Sequence, residues 1–343
     1  MRKDGDMTVK SSANPSPLRA IGGIQTPVFA CFFIFLLLVP VTINNAFVTS
    51  LLTTVFIYMI LGQSWNVLGG YTGLFSLGQN MFYGITAYAM VLFTSKLGLH
   101  IALGFLCGLG LNCLLALLIG LVSSKVKELF FAVLTLAMAQ IMLGLVNTWY
   151  GVTNGTRGAA LSDAFTVSGT TAYYVGLAMV LLSVAIMIGM TRSKMGNYLI
   201  AIRENEELVK SLGVNSTKWC IVSAMLSALI ASLASVVMVL HISIVYPNAT
   251  FAFDVTTKIL VVTIIGGKGD IRGPIYGSAI IIIDQLLRGW LGGQYAGLPG
   301  IIYGLFMVII VLALPGGVAG AIHHGGAGRK AARKKGEAVA VQS

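Results

Sequence analysis

The sequence predicts an all-α, polytopic transmembrane helical bundle of about ten spans with both termini cytoplasmic. Three observations carry this expectation. The 343 residues are 57 % hydrophobic and only 10 % charged, whereas soluble domains carry about a quarter charged residues. Apolar runs long enough to cross a bilayer follow one another with short polar breaks, and mean hydropathy is +0.89. Most of the 22 lysines and arginines fall in alternate breaks, as cytoplasmic loops do. The formal net charge is +11, but the cations sit between apolar runs. The partner this implies is an anionic lipid leaflet rather than nucleic acid.

Taken in order, residues 1–27 form a polar, basic segment with Arg2, Lys3, Lys10 and Arg19, expected to lie in the cytoplasm. No small-residue cleavage site follows the first apolar run, so it reads as a membrane span rather than a signal peptide. The transmembrane domain is expected over 28–315, with spans at 28–44, 46–67, 74–95, 99–122, 128–148, 172–190, 219–242, 254–266, 274–291 and 299–315. The third is interrupted by Ser76, Gln79 and Asn80, and the eighth is short. With the N-terminus inside, only Lys96, Arg157, Lys258 and Arg288 fall at or near the outer side. Gly104, Gly108 and Gly110 are expected to let helices approach closely. The tail, 316–343, is Gly- and Ala-rich and basic, and is expected to be disordered near anionic lipid.

No soluble-enzyme motif is present. There is no His-Glu-x-x-His pair and no Gly-x-Ser-x-Gly elbow. "GGKGDIRG", 266–273, has Gly269 after Lys268 where a phosphate loop needs Ser or Thr; it reads as a short cytoplasmic turn between two helices. Cys31, Cys107, Cys113 and Cys220 lie in apolar stretches with no Cys-x-x-Cys spacing, and His323–His324 is an adjacent pair in the Gly-rich tail. No catalytic site, metal or cofactor is expected.

Polar residues inside spans cost energy and mark either interhelical hydrogen bonds or solute paths. The densest run, 61–88, holds Gln63, Ser64, Asn66, Ser76, Gln79 and Asn80 among glycines 69, 70, 73 and 78. Broken helices with free backbone groups bind small polar solutes in many transporters; Gln63, Ser76, Gln79 and Asn80 are the pathway candidates. Asp254–Lys258 and Asp284–Arg288 have i,i+4 spacing and are expected to form local ion pairs near the outer surface. No chain of acids crosses the bilayer, which argues against a proton relay.

The charged island is "AIRENEELVKSLGVN", 201–215, inside the longest internal loop, 191–218. Residues 197–212 are expected to form one or two short helices, with Asn205 as the cap of the second and Gly213 as its stop. Arg203–Glu207 and Glu206–Lys210 are the expected i,i+4 pairs. Leu208, Val209 and Leu212 make an apolar strip. The glutamates around it oppose an anionic membrane, so a protein groove is its expected partner.

Five stretches, in order, carry a family resemblance. "YTGLFSLGQNMFYGITAY" (71–88), "FFAVLTLAMAQIM" (130–142), "VTNGTRG" (152–158), "AIRENEELVKSLGVN" (201–215) and "TIIGGKGDIRGPIYGSAI" (263–280) resemble blocks of the LivM-like permeases of branched-chain amino-acid ABC transporters. The resemblance runs from about residue 46 to 315 and implies a translocating subunit without its own catalytic site. It implies a second permease subunit, two ATP-binding subunits and an extracytoplasmic solute-binding protein as partners. Arg203, Glu204, Asn205, Glu206, Glu207 and Gly213 lie in the segment similar to the family's cytoplasmic coupling helix, which docks on the ATPase. Glu207, Leu208 and Val209 depart from the Ala-rich positions of the family there. The implied cargo is leucine, isoleucine or valine, with urea, amides or aromatic acids carried by similar proteins. A stand-alone channel or facilitator for small polar solutes is the alternative; it leaves the 197–212 helix without a purpose.

Overall fold

The computed structural model describes residues 26–43, 45–123, 128–291 and 298–313. The expectations for 1–25 and 314–343, and for Lys125 and Lys127, lie outside the described residues. The elements are α1 Thr26–Ile43, α2 Ala46–Trp65 running into a π-helical segment Asn66–Thr72, α3 Gln79–Leu97, α4 Ile101–Ser123, α5 Glu128–Thr148, the single-turn α6 Tyr150–Thr153, and α7 Gly169–Arg192. They continue with α8 Lys194–Glu204, α9 Glu206–Ser211, α10 Ser216–Ile242, the short α11 Pro247–Thr250, α12 Phe253–Gly267, α13 Gly273–Gly277, α14 Ala279–Leu291 and α15 Leu298–Ala313. β1 Ala159–Ala160 and β2 Ile244–Val245 pair antiparallel, and Tyr88 on α3 donates to the Val245 carbonyl at 3.1 Å.

Among the described residues, each apolar segment expected from the sequence overlaps helix. Among the described residues, 6 helical stretches are long and apolar enough to cross a membrane: Ala46–Thr72, Ile101–Ser123, Leu129–Thr148, Gly169–Arg192, Ser216–Ile242 and Pro247–Gly267. The third expected span begins five residues late, at Gln79. Gly73 ends the π segment at φ +81, a left-handed conformation that glycine adopts without penalty. A Cβ on Gly78 would collide with the Thr135 carbonyl. The chain between these glycines is non-helical.

α10 lies at the centre, against α2, α3, α4 and α7. Its buried face carries Ser223, Ala224, Ser227, Ala228, Ala231, Ser232, Ala234 and Ser235, small residues that allow close helix approach and hydrogen bonding where apolar surface alone gives little attraction. Ser235 donates to the Tyr83 carbonyl at 2.6 Å, and Asn112 of α4 donates to Ser232 at 2.9 Å. Gly104 and Gly108 pack on α3: added Cβ atoms would stand 2.6 Å from the Met90 Cα and 2.8 Å from the Thr86 Cα. Gly110 does not share this role, with nothing within 4 Å of an added Cβ. Spacing explains the difference, since residues four apart share a helix face and residues two apart do not.

α12 and α13 approach closely at glycines. A Cβ on Gly277 would collide with the Val262 carbonyl, and one on Gly266 with the Gly273 carbonyl. Gly277→Ala is therefore expected to cost about 1–3 kcal/mol through overpacking. Thermal unfolding in detergent checks it; an unchanged midpoint would show that these helices separate freely.

Candidate functional site

The charged island folds as two short helices set by local capping. Ser193 caps α8 by accepting from Met195 N–H at 3.2 Å. Asn205 is extended, at φ −160 and ψ 99, and its Oδ1 accepts from Leu208 N–H at 3.0 Å to open α9. Gly213, at φ +81, turns the chain out of α9, and Asn215 opens α10 by accepting from Lys218 N–H at 3.0 Å. Val209 is buried with Ile202 and Cys220, against Leu74 and Trp219. The apolar strip expected from sequence is thus divided: Val209 pins the insertion down, while Leu208 is 58 % and Leu212 74 % exposed.

Glu206 forms the expected pair with Lys210 at 2.8 Å and also accepts from Ser216 at 2.7 Å. Burial works against the Glu206 charge, but the hydrogen bonds from Lys210 and Ser216 outweigh it and hold the carboxyl below the usual carboxylate range. The stability this contributes is fully present above the ordinary carboxylate pKa and is lost as pH falls through the lowered one. The expected Arg203–Glu207 pair is replaced. Arg203 binds Glu204 at 2.8 Å, because the extended Asn205 breaks the helix and removes the i,i+4 relation to Glu207.

The other Arg203 nitrogen, Nη1, donates to the Gly70 carbonyl in the π segment at 2.6 Å. The same region holds the 268–272 turn. Asn66 Oδ1 accepts from Gly269 N–H at 2.8 Å, Asn66 Nδ2 donates to the Asp270 carbonyl at 2.9 Å, and Gln63 Nε2 donates to the Ile271 carbonyl at 2.6 Å. Three stretches distant in sequence therefore meet at one end of α2.

The pathway candidates do not converge on one point. Gln63 faces the 268–272 turn. Gln79 Nε2 donates to Ser227 at 2.7 Å and to Ser64. Asn80 Nδ2 donates to the Phe251 carbonyl at 2.7 Å. The Ser76 carbonyl accepts from Trp65 Nε1 at 2.8 Å. All four are buried. Each carboxamide spends its NH2 group on another element, while Gln63 Oε1, Gln79 Oε1 and Asn80 Oδ1 are buried without a protein hydrogen-bond partner. Sequence reasoning missed Ser227. The only local signal for it was the Ser223/Ser227 spacing on one helix face.

The two acid–base pairs form as expected, Lys258–Asp254 at 3.1 Å and Arg288–Asp284 at 2.9 Å. They also join crosswise. Lys258 Nζ reaches Asp284 at 2.8 Å, with side chains 7 % and 1 % exposed, and lies 5.9 Å from the Tyr58 ring centre. The network locks α12 to α14. Among the described residues, no group of three or more His, Cys, Asp or Glu side chains is placed to hold a metal ion.

A family model described as "Branched-chain amino acid transport system / permease component" matches residues 47–314. The chain is 25 % identical over 300 residues to the high-affinity branched-chain amino acid transport system permease protein LivM of Salmonella typhimurium, covering 78 % of this chain and 68 % of the relative. It is 26 % identical over 300 residues to the protein of that name from Escherichia coli, with the same coverage of 78 % and 68 %. It is also 28 % identical over 244 residues to the fructose import permease protein FrcC of Rhizobium meliloti, covering 67 % of this chain and 66 % of the relative. No solved structure matches the chain.

Proposed function

The chain belongs to the family of branched-chain amino acid transport system permease components, and on that premise we propose that it is the membrane-spanning subunit of an ATP-driven importer for branched-chain amino acids. It is a multi-pass inner-membrane protein. In this reading about ten spans cross with both termini in the cytoplasm, which places the basic breaks inside. A second permease subunit completes the pore, two ATP-binding subunits supply energy, and an extracytoplasmic solute-binding protein delivers cargo.

The observation that carries the reading is the exposed pair Leu208 and Leu212, one helical turn apart on a charged insertion between two apolar helices. Glu204 and Glu207 flank this docking face, while Asn205, Glu206 and Gly213 shape it. Gln63, Ser76, Gln79 and Asn80 belong to the translocation pathway. They are sealed in closed contacts with the 268–272 turn, α10, Phe251 and Trp65, and the carboxamide oxygens of Gln63, Gln79 and Asn80 meet water or solute when these contacts part. Similarity to a fructose import permease favours a second reading of the cargo, a monosaccharide.

Capture of the tagged chain from its own membranes in mild detergent, with mass spectrometry of its partners, tests the importer. Two nucleotide-binding subunits and a second permease are expected. A chain that purifies alone and passes small solutes in liposomes without ATP would be a facilitator. Competition of labelled leucine uptake by valine, isoleucine and fructose separates the two cargoes. In that complex, Asn80→Cys, in a chain with its native cysteines replaced, is expected to react with an aqueous thiol reagent only during ATP turnover. Equal labelling with and without ATP would remove Asn80 from the pathway.

A further inference from the structure

We infer that Arg203 is a positioning residue that carries movement of the docking insertion into the membrane helices, and is not itself a contact of the docked ATPase. The inference rests on the importer reading and names the link that reading requires. α9 presents the outward leucines, and only Asn205 separates it from α8, whose penultimate residue is Arg203. Displacing α9 therefore displaces Arg203.

Its guanidinium is about one-third exposed and joins an inward partner to an outward one. Nη1 holds the Gly70 carbonyl at 2.6 Å, and Nη2 holds Glu204 at 2.8 Å. Its stem packs under Gly73, where an added Cβ would stand 2.8 Å from Arg203 Cγ. The segment it grips, Asn66–Thr72, is π-helical, a form found in short pieces and frequently at functional sites. Gly73 follows in the left-handed conformation. A few residues of this kind can absorb the backbone change of a hinge. An added Cβ on Gly70 would stand 2.7 Å from Gly269 N, and one on Gly269 would stand 3.3 Å from Arg203 Nη1, while Asn66 binds both Gly269 and Asp270. A pull on Gly70 is thus delivered to α2, to the start of the 73–78 connection and to the turn between α12 and α13. The planar guanidinium suits this role because it engages a carbonyl and a carboxylate at once, which a lysine ammonium on a flexible stem does not reproduce.

The experiment uses the transporter captured with its own ATPase subunits and reconstituted in liposomes. ATP hydrolysis, solute uptake and thermal unfolding are measured for the unmodified complex, Arg203→Gln and Arg203→Lys. Arg203→Gln is expected to keep its ATPase subunits and its hydrolysis while uptake falls by about tenfold or more, within the range of ordinary coupling energies. Moles of ATP hydrolysed per mole of solute rise accordingly, and Arg203→Lys recovers part of the loss. Loss of the ATPase subunits from a folded Arg203→Gln complex would make Arg203 a docking contact and overturn the inference, as would unchanged uptake per ATP. Should Arg203→Gln fail to fold, Arg203→Lys decides, with uptake per ATP either lowered or unchanged. Failure of the unmodified chain to bring down any ATPase would instead overturn the importer reading.

Discussion

Asp284→Asn is expected to lower the stability of the purified protein by about 3 kcal/mol, the scale of leaving one partner of a buried ion pair uncompensated. Asp284 shares its two oxygens between Lys258 at 2.8 Å and Arg288 at 2.9 Å. Of the four charges in the network, Asp284 and Lys258 are the buried pair, while Asp254 is 60 % exposed and so offers Lys258 weaker, partly screened compensation. The substitution keeps shape and volume, removes the charge and turns one acceptor oxygen into an NH2 donor facing Lys258 or Arg288, so a lowered unfolding midpoint reports the polar network rather than a cavity. A double-mutant cycle separates the pair from its surroundings. Lys258→Met with Asp284→Asn together is expected to cost about 0.5–3 kcal/mol less than the sum of the two alone, because the second change removes a charge that the first has orphaned. Additive losses would mean that Lys258 and Asp284 act separately, and the crosswise link between α12 and α14 would then have no energetic weight.

This network marks where the sequence ceases to be legible. The pairs Asp254–Lys258 and Asp284–Arg288 follow from helical periodicity within each helix, so they can be read from spacing. The crosswise contact depends on how α12 packs against α14, and nothing local records that. The same division runs through the charged island. Asn205 and Gly213 are legible because a cap and a left-handed stop are decided within a few residues. The partner of Arg203 is not, because it is a backbone carbonyl 133 positions away. Even the local alternative, Glu207, fails once Asn205 breaks the helix. Hydropathy locates the helices because apolar length is a property of the segment itself. It also groups Leu208, Val209 and Leu212 into one strip, and only packing against Ile202 and Cys220 turns Val209 inward and leaves the two leucines outside. Gln79 shows the same limit: the polar run flags it, but its partner Ser227 lies 148 residues on.

Replacing both outward leucines, Leu208→Ala with Leu212→Ala, is expected to strip the ATPase subunits from the captured complex and to abolish uptake while the membrane helices stay folded. Burying a leucine side chain in a protein groove contributes about 1.5–3 kcal/mol, so losing two weakens docking by roughly 3–6 kcal/mol, a hundredfold or more in affinity. Neither side chain supports the fold of the insertion, because Val209, the Asn205 cap and the Glu206–Lys210–Ser216 contacts do that. The thermal midpoint should therefore move little, whereas Val209→Ala should lower it through a cavity. That contrast distinguishes docking from folding. It also distinguishes a protein groove from lipid. If the two leucines rested on headgroups, their loss would leave the ATPase subunits attached. Intact complexes carrying both alanines would remove the outward face of α9 as the docking site, while the attached ATPase subunits would leave the importer reading standing on a different contact.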